Sequence, residues 1–104
     1  MTCRVVHLSH EPYDVYIGRG RGSIWGNPFS HKDGTLAQFK TATRKEAVER
    51  FEEYLLTNSE LLEQLVTLKG KVLGCWCKPK SCHGDIIAKH VNRLYPESTD
   101  FIQF

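Results

Sequence analysis

The segment Lys71-Val72-Leu73-Gly74-Cys75-Trp76-Cys77 constrains the fold more than any other stretch. Val72 and Leu73 suit a buried central strand. Lys78-Pro79 ends the run, because proline has no amide to give to a strand ladder. Ser81 or Cys82 then opens a helix with Ile86, Ile87, Val91 and Leu94 on one side, and Pro96 closes it. A strand leading directly into a helix is half of a βαβ unit, and such units build parallel sheets.

The remaining patterns agree with that class. Cys3 to Leu8 is a short β-like run, and His10-Glu11-Pro12 is a turn. Tyr13, Val15 and Ile17 alternate with Asp14 and Tyr16, which predicts a second strand. Gly18 to Phe29 holds four glycines and a proline and reads as loop. Thr43-Arg44-Lys45-Glu46 matches a capping box, and Ala47, Val48, Phe51, Tyr54 and Leu55 follow on one helical face. Asn58-Ser59 breaks that helix, with Ser59 placed to cap a second one through Leu61, Leu62, Leu65 and Leu68. Lys69-Gly70 stops it. Residues 30–42 give no clear signal. The expectation is a layered α/β fold on a small, mostly parallel sheet, in one domain spanning 1–104 with a tail at 96–104.

With 40% hydrophobic and 25% charged residues, disorder is disfavoured. No apolar run is long enough to span a membrane, and Met1 to His7 carries no secretory signature, so a cytoplasmic location is expected. A formal charge of +2 is too weak to argue for nucleic acid, which is therefore not favoured as a partner. Local charge is more suggestive. Arg19, Arg21 and, further on, Lys32 lie in or near the glycine loop, while Lys78 and Lys80 lie in the cysteine loop. If the fold joins the two loops, an electropositive pocket results; otherwise these are scattered solvated charges. In an extended strand Cys75 and Cys77 would have Cα atoms about 6.5–7 Å apart, near the upper limit for a disulfide. Reduced thiols are the better reading in a cytoplasmic chain.

Three chemical readings attach to the cysteine loop. Cys82 at a helix start, aided by Lys78, Lys80 or His83, suits a reactive thiolate, with His83 as proton carrier. Cys75, Cys77, Cys82 and His83 have the ligand types of a zinc site, although the C-x-C-x4-C-H spacing is not that of paired C-x-x-C knuckles. Cys75 and Cys77 also read as small buried core residues. Asp85 suits either the helix dipole or a role beside Cys82 and His83. In the other loop, Arg19 and Arg21 suit phosphate or carboxylate, and Trp25 suits stacking on a ring. Trp25-Gly26-Asn27-Pro28-Phe29 reads equally well as a rigid turn pinned to the core.

These motifs carry a resemblance. Tyr13-Asp14-Val15-Tyr16-Ile17-Gly18-Arg19, Trp25-Gly26-Asn27-Pro28-Phe29, and Gly74-Cys75-Trp76-Cys77 through Pro79 to Cys82-His83-Gly84-Asp85 resemble, in matching order, the family called domain of unknown function 4326. The likeness covers Val5 to Leu94. That family occurs in bacteria and phages and brings no reaction with it. The cysteine segment is more distantly similar to domain of unknown function 488, which has arginine where this chain has Gly84, so that arginine's role does not carry over. The resemblance implies a small three-layer Rossmann-like fold with the three motifs as the site. For a phage protein it also implies action on a host nucleotide signal, by association alone.

The functional expectation is a pocket for a small anionic, nucleotide-like molecule. Arg19, Arg21, Trp25, Asn27, Lys78 and Gly84 would bind it, and Cys82, His83 and Asp85 would carry any chemistry. No cofactor is expected, with zinc as the alternative. The alternatives in function are a cysteine-dependent enzyme acting on a nucleotide or nucleoside, and a zinc-stabilised interaction module. The sequence leaves the oligomeric state open.

Overall fold

The computed structural model describes residues 2–20, 22–30, 39–76, 78, 80 and 82–95. Arg21, Lys32, Cys77 and the 96–104 tail lie outside the described residues.

Among the described residues, three parallel strands form the central sheet. β1 is Arg4–His7, β2 is Val15–Tyr16, and β5, Val72–Cys75, lies between them. The sequence predicts longer strands for all three. Pairing stops sooner because each strand has only its central residues level with a neighbour, although Asp14 and Ile17 add backbone bonds to Val72 and Gly74 at either end of β2. The α/β class with a parallel sheet is present as the strand–helix pattern requires.

Residues Val5, Leu73 and Val15 are level in the sheet and share one face. Helix α3, His83–Leu94, lies on that face, with Gly84 against the side chains of Val5 and Ile17. Ile17, Leu73, Ile87 and Val91 are fully buried there. On the other face, the ring of Tyr13 lies across Gly74, where a Cβ would sit 2.6 Å from the ring. The chain from β1 to β2 thus passes over β5 without a helix, and Gly74 gives it room.

Helix α1, Arg44–Leu56, begins at the expected cap: the Glu46 amide donates to Thr43 Oγ1 at 3.1 Å. The Glu46 carboxylate reaches back to the Ala42 amide rather than to that of Thr43. Phe51 and Leu55 of α1 are fully buried. Helix α2, Ser59–Gln64, is capped by Asn58, whose Oδ1 accepts from the Leu61 amide, and not by Ser59. The apolar spacing through Leu65 and Leu68 continues as a 3-10 turn, Leu65–Leu68, not as α-helix. Two short parallel strands are added: β3 (Phe29–Ser30) starts on the last residue of the stretch expected as loop, and β4 (Phe39–Lys40) lies in the region without sequence signal. Their Phe29 and Phe39 rings stack with centroids 5.3 Å apart.

Candidate functional site

The carboxyl ends of all three central strands point the same way; Arg19, Trp25 and Asn27 follow β2, while Lys78 and Cys82–Asp85 follow β5. After β2, the chain turns at Gly20, whose φ of 78° favours glycine, and Ser23 N–H closes the turn on the Gly20 carbonyl at 3.0 Å. Ser23 Oγ donates to the Tyr16 carbonyl and accepts from the Trp25 amide. Arg19 then fastens the loop: its Nε donates to the Asn27 carbonyl at 2.6 Å and its Nη2 to the Phe29 carbonyl at 2.9 Å. Asn27 is buried, accepts from the Phe29 amide and donates to the Ala47 carbonyl of α1 at 3.1 Å. Trp25 is 4% exposed and belongs to the core. The rigid-turn reading of Trp25–Phe29 therefore describes this loop: Trp25 offers no open face for stacking, and Arg19 spends two of its donors on backbone.

The cysteine loop is organised around the start of α3. Cys82 is the N-cap, with extended backbone, and its Sγ accepts from the Gly84 amide at 3.3 Å. Asp85 Oδ2 accepts from the Cys82 amide, and Asp85 Oδ1 takes the Lys78 ammonium at 2.8 Å. That carboxylate holds the Lys78 pKa above its ordinary value. Cys75 and Cys82 are both buried, with their sulfurs 3.3 Å apart. His83 is buried, bonds the Ile17 carbonyl through Nε2 at 2.7 Å, and meets the Phe51 ring edge-on at 5.0 Å. Gly84 is tight: a Cβ there would lie 2.6 Å from Ile17 Cδ1. Each of these contacts has a packing or capping role. Among the described residues no group of three His, Cys, Asp or Glu is arranged to hold a metal, and the third cysteine of the zinc alternative, Cys77, lies outside them.

The His83–Ile17 bond joins the two loops, since Ile17 directly precedes Gly18-Arg19. A cleft of about 710 Å³ opens between the Arg19–Pro28 loop and α2. Arg19 and Asn27 line it, but Lys78 and Cys82–Asp85 do not. Ile24 and Phe39, 52% and 55% exposed, supply apolar surface, with Tyr54 of α1 behind them. Asn58, Glu60, Glu63 and Gln64 form the opposite wall. Arg19 brings positive charge to one side and the two glutamates bring negative charge to the other, so the cleft is not uniformly electropositive.

Sequence reasoning misses the α2 wall, because Glu60 and Glu63 look like ordinary solvent-facing helix residues. The one available signal is Asn58, which marks a sharp break between two helices. It also misses an aromatic group beyond β1 and β5. The His7 and His10 rings stack with centroids 4.4 Å apart, and Trp76, 53% exposed, meets His7 edge-on at 5.9 Å. No helix among the described residues is long and apolar enough to cross a membrane.

An uncharacterised 12.4 kDa protein from the nrdA–td intergenic region of Enterobacteria phage T4 is 39% identical over 95 residues, covering 91% of this chain and 82% of that one. Uncharacterised protein R718 of Acanthamoeba polyphaga mimivirus is 35% identical over 72 residues, covering 62% of this chain and 49% of that protein. The chain therefore matches about half the length of the mimivirus relative. No solved structure matches. The model of the family described as Domain of unknown function (DUF4326) matches residues 3–93, the span that contains the cleft and both loops, and the chain belongs to that family.

Proposed function

We propose that the domain binds a small nucleotide-like molecule in the cleft between the Arg19–Pro28 loop and α2. The observation that carries this reading is the cleft itself. Its volume of about 710 Å³ falls in the range of small-molecule sites, and it combines exposed aromatic and aliphatic surface with a few polar groups. Phe39 and Ile24 suit the face of a flat ring. Asn58 and Gln64 suit its polar edge, and Glu60 and Glu63 suit hydroxyl donors such as those of a ribose. The guanidinium of Arg19 supports a single anionic group at the loop side. The same glutamates disfavour a polyphosphate, so a nucleoside or nucleoside monophosphate fits better than a triphosphate. A phage-encoded member would meet such a ligand in the host cytoplasm.

A cysteine-dependent reaction on that ligand is the weaker reading. The Cys82 residue is 2% exposed, and neither it nor His83 borders the cleft.

Calorimetric titration with nucleosides, nucleoside monophosphates and triphosphates tests the proposal. The expected result is heat of binding for a nucleoside or monophosphate, with affinity lowered about tenfold by Phe39→Ala through lost ring contact. No binding across the panel, or equal binding by Phe39→Ala and wild type, would sink it.

A further inference from the structure

We propose that Cys75 and Cys82 form a peroxide-reactive dithiol that closes to a disulfide between the end of β5 and the start of α3. Their sulfurs are already in contact at 3.3 Å. A disulfide is about 2.05 Å long, so the sulfurs need to approach by only about 1.3 Å. Both residues sit where the backbone can adjust. Cys75 is the last residue of β5, and Cys82 is the extended N-cap of α3. This pair lies away from the walls of the cleft, so the inference does not depend on the binding proposal.

Two neighbours favour the thiolate of Cys82, the form that attacks a peroxide. The Gly84 amide donates to its sulfur at 3.3 Å. The Lys78 ammonium is also within electrostatic reach of both sulfurs, with its field there partly offset by the Asp85 carboxylate that holds it at 2.8 Å. Cys3 provides the contrast within the same chain. It too is buried, and desolvation alone pushes its thiol up to about 11. The burial of Cys75 and Cys82, at 1% and 2% exposure, also selects the oxidant. A bulky disulfide cannot reach sulfurs this enclosed, whereas a small hydroperoxide can enter on modest local opening.

The chemistry balances in two steps. The Cys82 thiolate attacks one peroxide oxygen; an S–O bond forms, the O–O bond breaks, and hydroxide leaves and takes up a proton as water. Cys75 sulfur then attacks the sulfur of the Cys82 sulfenic acid. The S–S bond forms, the S–O bond breaks, and the Cys75 proton leaves with the departing oxygen as a second water. Two thiols are oxidised and one hydrogen peroxide is reduced to two waters.

The test uses the full chain, reduced and desalted, exposed to hydrogen peroxide, cleared of peroxide, and then unfolded in denaturant that contains N-ethylmaleimide, so that every remaining thiol is alkylated. Intact mass and peptide mapping are read against an untreated sample. The expected result is a peptide pair linked through Cys75 and Cys82, with alkylation of both falling about tenfold while Cys3 is unchanged. Cys75→Ser is expected to stop at a sulfenic acid on Cys82 that dimedone traps, and Cys82→Ser to give neither product. Persistent alkylation of both cysteines, or a link that joins Cys77 to either one in place of the Cys75–Cys82 pair, overturns the proposal. The wild-type map decides alone if a serine variant fails to fold.

Discussion

Replacing Arg19 by alanine removes the Nε bond to the Asn27 carbonyl and the Nη2 bond to the Phe29 carbonyl. Hydrogen bonds from a charged donor contribute about 1.5–3 kcal/mol each. Arg19 is only partly buried, so water can reach some of the released carbonyl surface and the lower end of that range applies. The expected loss is about 3 kcal/mol for the pair of bonds. In a domain of this size that lowers Tm by about 10–20 °C. Lysine at the same position can satisfy one carbonyl but not both, so Arg19→Lys is expected to fall about midway. Urea unfolding followed by tryptophan fluorescence provides the assay, because Trp25 is buried in the loop that Arg19 fastens. If Arg19→Ala stays within about 0.5 kcal/mol of wild type, the two bonds do not hold the loop and the description of Arg19 as a clamp is wrong.

Two further outcomes follow from local geometry. Gly84→Ala is expected to cost about 1–3 kcal/mol in chemical denaturation, because the new methyl would meet Ile17 Cδ1 at 2.6 Å and push α3 from the sheet; wild-type stability would contradict that packing. Glu52 accepts from Lys89 and His90 of α3, and these bonds lower its carboxyl pKa from 4.5. A depressed pKa in the folded state means that the stabilisation is present above pH 4.5 and is lost as pH falls below it. Stability measured against pH should therefore fall less steeply below that point in Glu52→Gln than in wild type, and parallel curves would rule the linkage out.

Elements with strong local signals were legible in the sequence. The Thr43 cap, the α1 face and the β5-to-α3 passage all rest on residues close together in the chain, and the structure contains each of them. What failed to show is set by distant contacts. β3 and β4 have two residues each and are held by backbone bonds from Phe39 and Thr41 to Pro28 and Ser30 and by the Phe29–Phe39 stack, none of which a local period encodes. Ser59 is the cap expected from the sequence, yet the side chain that reaches the Leu61 amide is that of Asn58. The candidate site divides along the same line. Arg19, Asn27 and Gly84 stand out in sequence, yet a clamp, a buried amide bridge and a close-packing glycine leave the same trace there as ligand-binding residues. Only the placement of α2 against the glycine loop makes a cleft, and that placement depends on tertiary packing.

Amide chemical-shift mapping during titration with a nucleoside monophosphate tests the binding proposal most directly, because it reports where a ligand sits as well as whether it binds. The expected result is saturable shifts concentrated at Ser23, Ile24, Phe39, Asn58, Glu60 and Gln64, the facing walls of the cleft. Shifts confined to Lys78–Asp85, or none at saturating ligand, would contradict it.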